Sequence, residues 1–127
     1  MILCAVDDLL FSIKIKTAAA GVGAPVYFER DPDMVLPRIR EKQPALVILD
    51  LNSARMRPLE LVEAMKADPE LGRVRTLGYV SHVQTDLIAA ARAAGVDEVL
   101  ARSAFSDRLG EILTSGSARP ASPGPAE

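Results

Sequence analysis

The sequence predicts a doubly wound α/β domain built on a five-stranded parallel sheet. Three observations predict it. Short apolar runs alternate with helix-like segments five times along the chain. The run ALVIL is apolar at every position, as a central parallel strand covered on both faces requires. Two of the runs end in acid, one at Asp7-Asp8 and one at Asp50. The chain has 127 residues, enough for one domain and too few for two. It is 49% hydrophobic but only 4% aromatic, so its core has to be aliphatic.

The first run, residues 2–6, stops at acid and reads as a buried strand. Residues 9–21 are ambiguous. FSIKIK alternates like a strand, yet Leu10, Ile13, Thr17 and Ala20 share one helical face and three consecutive alanines favour helix. The segment is assigned as helix, with Gly21 and Gly23 as stops. Residues 25–28 form a second strand. Asp31 or Asp33 then caps a helix with Val35, Leu36 and Ile39 inward, shortened or bent by Pro37. Residues 45–49 are the central strand. A loop over 51–57 leads to Pro58 at a helix start, with Leu59, Val62 and Met65 as the inward stripe and Asp68-Pro69 as the break. Residues 76–80 are the fourth strand. Gln84 or Thr85 opens an Ala-rich helix carrying Leu87, Ile88 and Ala91, closed by Gly95. Glu98–Ala101 is the fifth strand, and Ser106 caps a last helix with Leu109, Ile112 and Leu113. The folded domain spans 1–114. Residues 115–127, rich in Gly, Ser, Ala and Pro, read as a disordered C-terminal tail.

Composition narrows the function classes. The formal net charge is −2 and there is no Lys/Arg block, which argues against a nucleic-acid surface. No apolar stretch approaches the roughly 20 residues that span a membrane, and MILCAVDD lacks the basic start of a signal peptide. One cysteine and one histidine cannot make a tetrahedral zinc site, and a lone thiol fits a reducing cytoplasmic location.

Right-handed βαβ crossovers place helices on both faces of the sheet, with a ligand crevice at the carboxyl ends of the strands where their order reverses. With the flavodoxin-like order 2-1-3-4-5, carried over from known doubly wound sheets, strands 1 and 3 are neighbours. Asp7, Asp8 and Asp50 then converge. Any one acid at a strand end is more readily a helix cap than a ligand; three at adjacent strand ends are harder to explain so. Like charges raise one another's pKa unless a cation sits among them, and a hard divalent ion such as Mg²⁺ suits oxygen donors. Asp50, the innermost, could attack a phosphoryl group as a nucleophile.

At AVDD, LVILDLN, KADPELGRVRTLGYVSH and AAGVDEVLARSAF the sequence resembles the receiver domains of two-component response regulators, over about residues 1–113. The resemblance implies that Asp50 is the phosphoacceptor. It implies that Asp7 and Asp8 help hold Mg²⁺ and that Asn52 completes the metal site through its backbone carbonyl. It also exposes departures. Val80 stands where the family has a Thr or Ser hydroxyl, and Ser81 reaches that place only by a one-residue shift that reverses its face. Arg102 replaces the family lysine, a planar fork in place of a compact ammonium. Val99 takes the aromatic switch position, and Ser53-Ala54 replaces Met-Pro.

The expectation is therefore an atypical, or pseudo-, receiver. It is a stand-alone domain, not an enzyme, working by contact with a signalling partner such as a histidine kinase or downstream effector, with weak or absent phosphorylation switching. It would be a monomer or weak homodimer. The alternative is a functional single-domain phosphoacceptor using Asp50 and Mg²⁺. A flavin carrier on the same fold is disfavoured, because Asp7-Asp8-Leu9-Leu10 would repel a phosphate where such carriers cradle one. His82 reads as a loop residue, Cys4 as an inert buried thiol, and Tyr27, Phe28, Tyr79 and Phe105 as packing. Arg55 and Arg57 read as solvated loop charge.

Overall fold

The computed structural model describes residues 1–82 and 84–116. Strands β1 (Ile2–Ala5), β2 (Val26–Phe28), β3 (Leu46–Asp50), β4 (Arg75–Val80) and β5 (Glu98–Ala101) form one parallel sheet in the order β2-β1-β3-β4-β5. The expected doubly wound sheet is thus observed. Helices α1 (Leu9–Val22), α2 (Val35–Lys42), α3 (Pro58–Ala67), α4 (Thr85–Ala94), α5 (Arg102–Asp107) and α6 (Leu109–Ser115) cover its two faces. A 3₁₀ turn, Pro32–Met34, capped by Asp31, precedes α2 and puts Pro37 in the first turn of that helix, where its missing donor matters least.

Two apolar layers follow from the strand alternation. Cys4, Ile48, Leu77 and Tyr79 face α1, α5 and α6, while Leu3, Ala5, Val47, Leu49 and Val80 face α2, α3 and α4. Gly78 belongs to the second face, and its bare backbone makes room for Leu51: a Cβ there would meet the Leu51 side chain at 2.7 Å. The aromatic residues concentrate on the first face. Tyr79 lies against Phe11 and Phe105, with ring centroids 4.7 and 4.9 Å apart.

The structure completes two of the sequence readings and corrects a third. The buried face of α1 is Phe11, Ser12, Ile15 and Ala19; the stripe through Leu10, Ile13, Thr17 and Ala20 is solvent-facing. Both stripes have helical spacing, and the larger Phe11 and Ile15 occupy the core side. In α3 the expected stripe packs inward, Leu59 half-buried against the core, and Pro58 and Leu61 join Val62 and Met65 in the buried set. The last helical segment starts at Arg102 rather than at Ser106. Phe105, fully buried, anchors a first short helix directly after β5, and the chain is jointed at Arg108 (φ −107°) before α6. Ser106 lies inside α5 and caps no helix among the described residues. Ser115 closes α6, with Gly116 as its left-handed cap; the rest of the expected tail, 117–127, lies outside the described residues.

Candidate functional site

The parallel register sets the site. Ala5 pairs with Leu49 and Asp50 pairs with Tyr79, so β1 and β3 deliver their trailing acids to the same rim. Asp50 is the last residue of β3 and is 6% exposed. Its Oδ1 accepts the backbone N–H of Asn52 at 3.0 Å. Burial pushes its pKa above the ordinary carboxylate range; the Asn52 N–H and the Arg102 guanidinium oppose this, while the charges of Asp7 and Asp8 add to it. That mutual influence places the three acids in one electrostatic neighbourhood.

The two acids after β1 are partly occupied. Asp8 is the N-cap of α1, accepting the Phe11 N–H on Oδ1 at 3.1 Å. Asp7 Oδ1 accepts the Ser53 hydroxyl at 3.0 Å, and Arg55 approaches Asp7 Oδ2 at 3.6 Å. Arg55 is therefore a pocket neighbour as well as loop charge, whereas Arg57 pairs with Asp33 at 2.8 Å, away from the acids.

Val80 and Ser81 do not supply a hydroxyl to Asp50. Val80 is fully buried among the α2–α4 residues, on the opposite face of β4 from Tyr79. Ser81, just beyond the strand, is tied to Asn52: its N–H and its hydroxyl both donate to Asn52 Oδ1, at 2.7 and 3.1 Å. Asn52 in turn donates to Gln84 Oε1 at 2.8 Å, so its side chain clamps the loops after β3 and β4 together. Arg102, at the start of α5, does not lie across Asp50 as an ion pair within 4 Å among the described residues. Its guanidinium sits over the rings of Phe11 (5.4 Å) and Tyr79 (5.9 Å) instead.

Sequence reasoning missed Tyr79 and Ser53 as members of the site. Tyr79 is fully buried, and its hydroxyl has no hydrogen-bond partner among the described residues; nor has Arg102 Nε. Burial, then the charge of Asp50, pushes the Tyr79 pKa far up, so the phenol stays protonated. The signal was available in principle, since residues 79 and 80 of one strand face opposite sides. Reading it required the register with Asp50.

Among the described residues no three His, Cys, Asp or Glu side chains form a ready-made metal cage. The donors present nonetheless suit a hard cation. All are oxygens, and Asp8 and Asp50 each keep one carboxylate oxygen outside any hydrogen bond or ion pair among the described residues. Mg²⁺ is ordinarily held by one or two carboxylates plus water, so a closed cage is not required. Cys4 is buried in the sheet and its thiol is pushed up to about 12, which makes it inert. His82 is exposed. No helix among the described residues is long and apolar enough to cross a membrane.

No protein-family model and no curated protein matches the chain. Solved structures do. A response regulator from Hahella chejuensis superposes with a TM-score of 0.80 at 18% identity, covering 89% of this chain and 91% of that one. The Mn²⁺-bound form of response regulator Rcp1 gives 0.77 at 18% identity, over 96% and 97%. The phosphorylated cyanobacterial phytochrome response regulator RcpA gives 0.76 at 23% identity, over 94% and 97%. With its strand order, its acids at the ends of β1 and β3, and these superpositions, the chain has the fold of the response-regulator receiver domain.

Proposed function

We propose that this chain is an atypical receiver domain of two-component signalling. It acts by contact with a signalling protein, a histidine kinase or a downstream effector, and its phosphorylation switching is weak or absent. The observation that carries this reading is Val80. At the end of β4, where the resemblance expects a hydroxyl to meet a phosphoryl group, an apolar side chain is packed into the α2–α4 core at 0% exposure. Arg102 adds to it, because a planar guanidinium held over two rings is a poor stand-in for a mobile ammonium. The exposed stripe on α1 supports the contact role: Leu9, Leu10 and Ile13 are 58%, 79% and 51% exposed beside the acidic rim.

The acidic pocket is retained in this reading. Asp8 and Asp50 would hold a Mg²⁺ ion, with Asp7 and the Asn52 carbonyl nearby. Bound there, the ion would neutralise charge on oxygens gathered at the rim. No catalytic turnover is assigned.

Mass spectrometry after incubation with Mg²⁺ and acetyl phosphate tests the proposal. Transfer would join an Asp50 oxygen to phosphorus as the phosphorus–oxygen bond to acetate breaks and acetate leaves. The expected result is at most a minor phosphorylated fraction. Near-complete labelling that disappears in Asp50→Asn would replace this reading with the working phosphoacceptor.

A further inference from the structure

Three buried side-chain donors lack a partner among the described residues; one, Arg75 Nε, belongs to an arginine already paired with Glu98, and the other two lie together beside the acidic rim. The Tyr79 hydroxyl and Arg102 Nε are both shielded from solvent, and neither finds an acceptor among the described residues. A buried polar group left unpaired is destabilising, so a pair of them beside the acidic rim calls for an explanation. Packing alone does not require them. Phenylalanine would stack on Phe11 and Phe105 as well as tyrosine does, without an orphaned oxygen.

Their placement is specific. Tyr79 is the register partner of Asp50 on the neighbouring strand, and both side chains leave the sheet on the α1/α5 side. After burial itself, Asp50 acts most strongly on the Tyr79 hydroxyl, followed by Arg102 and Asp8, with Cys4 last. Arg102 lies over the ring of that same tyrosine. An ionised Asp50 offers acceptors only, and its Oδ1 is already taken by the Asn52 N–H.

The geometry points to Tyr79, aided by Arg102, as the donor pair for an oxyanion carried on Asp50, taking the part that Val80 cannot play and relaying it toward α1 and α5. This rests on the acidic pocket being the functional site, as proposed above, and assigns whatever switching that site retains to Tyr79, on the opposite sheet face from the residue the family uses. The oxyanion is of the phosphoryl class: tetrahedral, multiply charged and bound with a divalent cation. Reading it through Tyr79 directs the response to the sheet face behind α1. Val80, on the other face, is left out. The Tyr79 ring touches Phe11 of α1 and Phe105 of α5, and Phe11 shares its helix with the exposed Leu10 and Ile13.

The chain has no Trp and only two Tyr, so Tyr27→Phe leaves Tyr79 as the sole strong intrinsic emitter. Tyr27 sits in β2 against Lys42, outside the pocket. In that background Mg²⁺ is titrated first and beryllofluoride, a phosphoryl mimic that coordinates a carboxylate oxygen, second. Beryllofluoride is expected to shift Tyr79 emission, and Asp50→Asn to abolish the shift. Tyr79→Phe is expected to weaken beryllofluoride about tenfold or more, the scale of one hydrogen bond to a charged group, while leaving Mg²⁺ affinity unchanged. Arg102→Gln should weaken it in the same direction.

Two results overturn the inference and leave the pocket reading standing. In the first, Mg²⁺ binds but beryllofluoride does not. In the second, beryllofluoride saturates with Tyr79 emission unmoved or with Tyr79→Phe at wild-type affinity. Failure of both Mg²⁺ and beryllofluoride to bind overturns the pocket reading and the inference with it. The emission experiment needs no substitution at residue 79, so it decides the matter even if Tyr79→Phe folds poorly.

Discussion

Asp50 carries a charge in a place where burial and two neighbouring acids disfavour it. Its folded-state pKa is raised by burial first, then by Asp7 and Asp8, against the opposing Asn52 N–H and Arg102. The sign of the linkage follows. A carboxyl whose pKa is higher in the folded than in the unfolded state holds its proton more tightly when folded. Its contribution to stability is full below the unfolded value, near pH 4, and is lost as pH rises through the folded value. Wherever Asp50 is ionised it is therefore a net burden to the fold. Asp50→Asn keeps the acceptor for the Asn52 N–H and removes the charge. It is expected to raise stability at pH 7 by about 1 kcal/mol, a few degrees in melting temperature. The gain should shrink toward zero as pH falls below about 4. Thermal melts across that range check it, and a variant less stable than wild type at pH 7 would show that Asp50 is already neutralised by a partner. Asp50 was legible from sequence because an acid closing an all-apolar strand is conspicuous. Tyr79 was not, because an aromatic residue in a strand looks like packing until its register partner is known.

At the scale of elements, most of the fold was written in the alternation of apolar runs and breaks. ALVIL gave the central strand, Gly95 the end of α4, and Pro58 the start of α3. Where periodicity offered two answers, sequence could not choose. α1 has apolar residues on both sides, Leu10 and Ile13 on one, Phe11, Ile15 and Ala19 on the other, and only the packed sheet decides which side is core. The last helical segment misled for a different reason. Ser106 has the chemistry of a cap, but the buried Phe105 pulls the preceding residues into helix and leaves that chemistry unused. The start of α1 separates two roles that sequence merged. Asp8 both caps this helix and sits at the acidic rim. Asp8→Ala should lose about 1 kcal/mol of stability, the usual worth of an N-cap side chain, and Asp8→Asn should retain it, because asparagine caps equally well. Both should weaken Mg²⁺ binding. Denaturant midpoints paired with Mg²⁺ titrations separate the roles, and an Asp8→Asn chain with wild-type Mg²⁺ affinity would remove Asp8 from the metal site.

Across the whole molecule the two faces of the sheet divide the labour. The face under α2, α3 and α4 is largely aliphatic, with Tyr27 at its edge and Val80 fully buried in it. The face under α1, α5 and α6 carries the aromatic cluster, and Asp50 and Tyr79 leave the sheet on that side. The outer surface of α1 shows Leu9, Leu10 and Ile13 to solvent, flanked by the exposed Lys14. These three neighbouring apolar side chains are left in solvent by the fold, as an encounter surface would be. The double substitution Leu10→Glu/Ile13→Glu is therefore expected to leave the melting temperature almost unchanged, within the roughly 0.5 kcal/mol typical of surface changes. If the proposed contact role holds, affinity for a partner protein recovered with the wild-type chain should fall about thirtyfold or more, as when two apolar anchors of an interface are replaced by charge. Calorimetry on the folded variant reads both quantities. A large drop in melting temperature would mean that the stripe is core after all. Unchanged partner affinity would place the docking surface elsewhere on the molecule and break the link proposed between Tyr79, Phe11 and α1.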